Sequence, residues 1–95
     1  MIHYELIKLV PGTDVVEVQQ KISRTLKKLD DELDWLNRPV VYRDCAEGKG
    51  SFDLMAEIDL DGPERLGDYL SNPHTVKLNE ALAGAVVGRM AFDHF

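Results

Sequence analysis

The chain has 95 residues, 44% hydrophobic and 29% charged, the make-up of one ordinary soluble domain spanning 1–95. Seventeen acidic residues against eleven basic ones give a net charge of −6, which argues against nucleic acid and anionic membrane surfaces as partners. The one cysteine, Cys45, cannot form an internal disulfide, and no apolar run approaches the ~20 residues of a membrane span. The opening Met1-Ile2-His3-Tyr4-Glu5 lacks the basic and apolar regions of a secretory leader, so a cytoplasmic protein is expected. A chain this short buries only about 60–70% of its unfolded surface, which makes a partner attractive.

Residues 2–10 are rich in β formers and stop at Pro11-Gly12, which predicts a first strand. Thr13 or Asp14 can cap the helix that follows, and Asp14, with Glu17 three residues on, fits a capping box. Apolar residues then recur at Val15, Val18, Ile22, Leu26, Leu29, Leu33 and Leu36, in steps that hold one face of a long helix. The other face carries Lys21, Arg24, Lys27, Lys28 and Asp31, as a solvated face should. Asn37-Arg38-Pro39 is expected to end this helix, because the residue before a proline is pushed out of helical geometry.

Val40 to Cys45 reads as a second strand, and Glu47-Gly48-Lys49-Gly50 as a turn. Residues 51–60 alternate strictly, with Phe52, Leu54, Ala56, Ile58 and Leu60 on one face and Asp53, Met55, Glu57 and Asp59 on the other. Gly62-Pro63-Glu64 opens a short helix to about Leu70. Asn72-Pro73 then supplies an N-cap and a proline at the first helical position, for another short helix to about Leu82. Residues 86–95, with Val86, Val87, Met90, Ala91, Phe92 and Phe95, form the last strand.

The order strand, helix, strand, strand, broken helix, strand predicts an α+β, ferredoxin-like four-stranded antiparallel sheet with its helices on one face. The first strand then lies between the third and the last. The other sheet face is bare in a monomer, and a half-apolar bare face calls for a partner.

Several stretches resemble one family. His3-Tyr4-Glu5-Leu6-Ile7-Lys8-Leu9 followed by Pro11-Gly12-Thr13 looks like the opening of the stress-responsive α/β barrel (Dabb) domain. Phe52-Asp53-Leu54 looks like the start of its acidic-apolar strand. Asp68-Tyr69-Leu70-Ser71-Asn72-Pro73-His74-Thr75-Val76 is similar to its Y-x-x-H-P-x-H-V stretch, and Arg89-Met90-Ala91-Phe92-Asp93-His94 to its R-x-x-x-D-Y tail. The likeness covers nearly the whole chain in the correct order. It implies a homodimer in which two sheets meet face to face as a closed α+β barrel. One plant branch of the family is a polyketide cyclase needing no cofactor, and another is a heat-stable stress protein. His3, Tyr69 and Asp93 match the cyclase pattern. Its other histidine positions fall on Thr75, Leu54 and Asn72, so cyclase chemistry through those histidines is not expected.

Alternation along the first strand puts His3, Glu5, Ile7 and Leu9 on one side, which the resemblance turns toward the helices. An antiparallel last strand brings Asp93 beside His3, where a carboxylate can orient the imidazole. Tyr69 approaches from the broken helix. Together with Glu5 and His74 these are the candidate ligand-binding residues, at one end of a largely apolar space between sheet and helices. The competing reading makes His3 and Asp93 a satisfied structural pair. Glu5 adds negative charge, so the expected ligand is mostly apolar and neutral or weakly polar. On the other side, Tyr4, Leu6, Lys8, Met55 and Glu57 are the expected dimer interface, with a cross-strand ion pair between Lys8 and Glu57.

The remaining residues carry blander expectations. His74 at a helix start and His94 near the end read as solvent-facing, and Trp35 as core or dimer packing. Gly48-Lys49-Gly50 is a turn, since no helix follows it to cradle a phosphate. No spacing of His, Cys, Asp or Glu suggests a metal site. No cofactor is expected, haem and flavin included, and His74 is the one weak candidate for an axial ligand. No catalytic residue is assigned. Three function classes follow: a small-molecule binder with or without enzymatic activity, a non-catalytic structural or stress-response dimer, and a cofactor-using monooxygenase of the same dimeric fold.

Overall fold

The computed structural model describes residues 1–46 and 48–95. Its elements are β1 (Ile2–Leu9), α1 (Val15–Glu32), β2 (Leu36–Arg43), β3 (Leu54–Leu60), α2 (Arg65–Ser71), α3 (Pro73–Leu82) and β4 (Val86–His94). The strands form one antiparallel sheet in the order β2-β3-β1-β4, and the three helices lie on one face of it. This is the ferredoxin-like arrangement the element order predicts, with β1 between β3 and β4.

Local signals start the helices where expected. Asp14 accepts the Glu17 backbone N–H at 3.1 Å and caps α1. Asn72 accepts the His74 N–H at 2.9 Å, and Pro73 occupies the first turn of α3. In β3 every second residue is buried, so Leu54, Ala56, Ile58 and Leu60 meet Val18, Ile22, Leu26 and Leu29 of α1 across the core. Leu29, Leu36 and Leu60 are fully enclosed, each worth roughly 1.5–3 kcal/mol of burial. Trp35 is partly buried at the core's edge, under the guanidinium of Arg65 at 5.1 Å from the ring centroid.

The end of α1 departs from the prediction. The helix stops at Glu32, Leu33 is extended, and Leu36 opens β2 rather than closing a helical stripe. Leu36 pairs with Leu60 of β3. An apolar residue at that position satisfies helical and strand periods alike, and sheet pairing decides between them. Asn37-Arg38-Pro39 therefore lies inside β2, where the register shifts between Asn37 and Val40 and Arg38 adopts φ 50°. A proline is tolerated there because β2 is an edge strand and the segment is a bulge. The strand accordingly ends at Arg43 rather than Cys45, and β3 starts at Leu54 rather than Ser51. Of the predicted turn, Glu47 lies outside the described residues. Gly50 sits at φ 84°, a conformation that favours glycine.

Candidate functional site: a polar cluster beside a cleft

Antiparallel pairing of β1 and β4 sets His3 opposite Asp93 and Glu5 opposite Ala91. His3 is 3% exposed. Its Nδ1 shares a 2.6 Å hydrogen bond with Asp93 Oδ1, and its Nε2 a 3.1 Å one with Glu5 Oε1. Burial pushes the imidazole pKa down, but hydrogen bonds to Glu5 and Asp93 and their charges outweigh this and hold it above 6.5. Two carboxylate acceptors favour the imidazolium, which donates from both nitrogens.

Tyr69 of α2 lies edge-on to His3, with ring centroids 5.8 Å apart. It is buried, yet its hydroxyl has no hydrogen-bond partner among the described residues. Burial raises its pKa well above 10, the Glu5 carboxylate adds to the rise, and the Arg89 guanidinium opposes it. Arg89 donates to Glu5 Oε2 at 3.4 Å, so Glu5 joins the imidazole on one oxygen to the guanidinium on the other.

Beside this cluster a cleft of about 370 Å³ lies between the β1–β4 half of the sheet and the α2–α3 pair. Glu5, Asn79 and Arg89 supply its polar groups, and Leu70, Ala83 and Val86 its apolar wall. Such a space can hold a small apolar molecule by its body and fix one polar end. The Glu5 carboxylate facing this space is paired with both Arg89 and His3.

Four of the five expected ligand-site residues, His3, Glu5, Tyr69 and Asp93, come together. His74 does not join them. Its Nε2 pairs with Glu32 Oε2 at 3.1 Å, and it lines a separate groove between α1 and α3. His74 and Asn79 are five residues apart on α3, roughly 140° around the helix, so they open onto different spaces. Asn79 and Arg89 are not among the expected site residues, although Arg89 opens the tail stretch that resembles R-x-x-x-D-Y. Alternation along β4 carries the signal for Arg89, since Arg89, Ala91 and Asp93 share a face. For Asn79 the signal is its place one turn after Thr75 on the inward side of α3.

Thr75 stands where the resemblance puts a histidine. It is 2% exposed, and its Oγ1 has no partner among the described residues. A buried hydroxyl without a partner is destabilising, so Thr75→Val is expected to leave stability unchanged or raise it by about 1 kcal/mol. A urea titration checks this, and a clear loss would show that the hydroxyl is satisfied in solution.

The opposite sheet face carries Tyr4, Leu6 and Lys8 of β1 and Met55 and Glu57 of β3, aligned with Tyr42, Met90, Phe92 and His94. Met90 and Phe92 are 56% and 62% exposed. His94 is exposed as expected, but it stacks on Tyr4 with ring centroids 5.6 Å apart. The expected Lys8–Glu57 ion pair is absent. Register sets Glu57 opposite Tyr4, while Lys8 donates to the Ser51 carbonyl at 2.7 Å and lies 3.9 Å from Asp53.

No family model and no curated protein matches the chain. Solved structures do. A dimeric protein of unknown function with a ferredoxin-like fold from Bacteroides fragilis is similar over 98% of this chain and 92% of its own, with TM-score 0.83 and 17% identity. A dimeric ferredoxin-like protein of unknown function from Thermobifida fusca covers 96% of this chain and 85% of its own, with TM-score 0.76 and 23% identity. A Dabb family protein with a ferredoxin-like fold from Mesorhizobium loti covers 99% and 93%, with TM-score 0.72 and 11% identity. At these identities the likeness establishes the ferredoxin-like fold.

Proposed function

We propose that residues 1–95 act as one Dabb-like domain that dimerises through its open sheet face and binds a small, mostly apolar molecule in the cleft between sheet and helices. The observation that carries the binding reading is the Tyr69 hydroxyl: its ring is buried, its oxygen has no hydrogen-bond partner among the described residues, and it feels the charges of Glu5 and Arg89, which line the cleft. A ligand carbonyl or hydroxyl supplies the hydrogen bond it lacks. Arg89 and Asn79 add donors, so the favoured ligand has an apolar body and one oxygen-bearing end. Glu5 is the acceptor facing the cleft.

His3 has a supporting part in this reading. Both its ring nitrogens are engaged and it is almost wholly enclosed, so it fixes Glu5 and Asp93 instead of meeting the ligand. The dimer reading draws on the exposed aromatic row of the open face, and two of the similar structures are themselves described as dimeric.

The test is a thermal-shift screen with neutral aromatic ketones and phenols, since a ligand that favours the folded state raises Tm. Tyr69→Phe is expected to weaken a hit by about 3–10-fold, the worth of one neutral hydrogen bond, while stability changes little. Glu5→Gln keeps an acceptor and serves as the comparison. A hit whose affinity ignored both substitutions would move the site out of this cleft.

A further inference from the structure

A second groove on the helix layer has no part in the cleft. It lies between α1 and α3 and encloses about 500 Å³. Lys21, Arg24, Thr25 and Lys28 line it from α1, and His74, Lys77, Leu78 and Ala81 from α3. Each set is spaced i, i+3, i+4, i+7, so each is one continuous helix stripe, and the two stripes face one another.

The charges are sorted by place. The chain as a whole is at −6, yet four of its eleven lysines and arginines line this one groove, and no carboxylate does. A helix face that needs only water interleaves its signs, because like charges three or four residues apart destabilise it. Here Arg24 has Lys21 three residues before it and Lys28 four after. Lys21 is paired with Glu17 at 3.2 Å. Arg24, Lys28 and Lys77 have no ion pair or hydrogen bond among the described residues. Three unneutralised cations around one concavity leave a place for two or more negative charges. The Thr25 hydroxyl adds a donor, and Leu78 and Ala81 are the apolar residues of the lining.

We propose that this groove binds a phosphorylated small molecule, with the phosphate held by Arg24, Lys28 and Lys77 and an apolar or planar group over Leu78 and Ala81. A planar guanidinium can bind phosphate oxygens in bidentate fashion, and two lysines supply point charges around it. The volume falls within the range of small-molecule sites. The net negative charge of the chain does not prevent this, since charges beyond about 8–10 Å are screened at physiological salt while those lining the groove act at contact.

The experiment titrates the full chain with phenyl phosphate, inorganic pyrophosphate and poly-glutamate, following backbone amide shifts by NMR. Saturable shifts are expected for Thr25, Lys28 and Lys77 with both phosphates, weakening as salt is added. Arg24→Glu and Lys28→Glu are each expected to lower phenyl phosphate affinity about tenfold or more, as for loss of a charge-assisted contact. Lys27→Glu makes the same change in net charge on the neighbouring face, where Lys27 lies 3.5 Å from Asp31, and is expected to change it less than about twofold. Circular dichroism confirms that the variants fold. Equal losses in all three variants would reduce the effect to bulk charge and overturn the proposal. So would binding of poly-glutamate without either phosphate, which would assign the groove to an acidic protein partner.

Discussion

His3→Ala is expected to cost roughly 2–4 kcal/mol, because it removes two charge-assisted hydrogen bonds and leaves the partly buried Glu5 and Asp93 facing one another without their shared donor. The loss carries a pH dependence of definite sign. The folded-state pKa of His3 lies above its ordinary 6.5, since Glu5 and Asp93 outweigh the opposing effect of burial. The folded state thus binds the proton more tightly than the unfolded chain does. The stabilisation is fully present below about pH 6.5 and is lost as pH rises through the higher folded-state value. The stability gap between the native chain and His3→Ala should therefore narrow from weakly acidic to alkaline pH. Asp93→Asn keeps an acceptor without the charge and should narrow the window as well as the gap. Urea titrations across that range measure both, and a pH-independent gap would mean that His3 stays neutral.

Leu6→Asp is expected to convert a dimer into a monomer. Leu6 sits near the centre of the open sheet face, between Met55 of β3 and Met90 of β4, with Tyr4 and Phe92 one step along. A carboxylate at the centre of such an interface must be desolvated without a partner, a penalty of several kcal/mol and a loss of at least a hundredfold in association. Light scattering at micromolar concentration should give twice 10.7 kDa for the native chain and 10.7 kDa for Leu6→Asp. Lys27→Asp, on the solvated face of α1, should remain dimeric. A native chain already at 10.7 kDa across that range would remove the dimer from the proposed function.

Much of this architecture is determined by the sequence itself, because the controlling physics is local. The strict alternation of residues 54–60 specifies a strand with one buried face. The run from Val15 to Leu29 specifies a helix with one apolar stripe, and Asn72-Pro73 restarts a helix by capping alone. Element order then limits the sheet to few topologies, and antiparallel pairing of its first and last strands is enough to bring Asp93 to His3. What only the tertiary structure decides depends on partners distant in the chain. Leu36 fits either period and becomes a strand residue because Leu60 is there to pair with it. Lys8 meets Ser51 and Asp53 rather than Glu57 because stagger between strands cannot be read from either strand alone. The guanidinium of Arg89 reaches Glu5, and Asn79 opens onto the cleft while His74 opens onto the groove between α1 and α3, because of how the last strand is registered and how α3 is rotated on the sheet. Both are settled by packing across the core, where a shift of one residue moves every side chain to the other face.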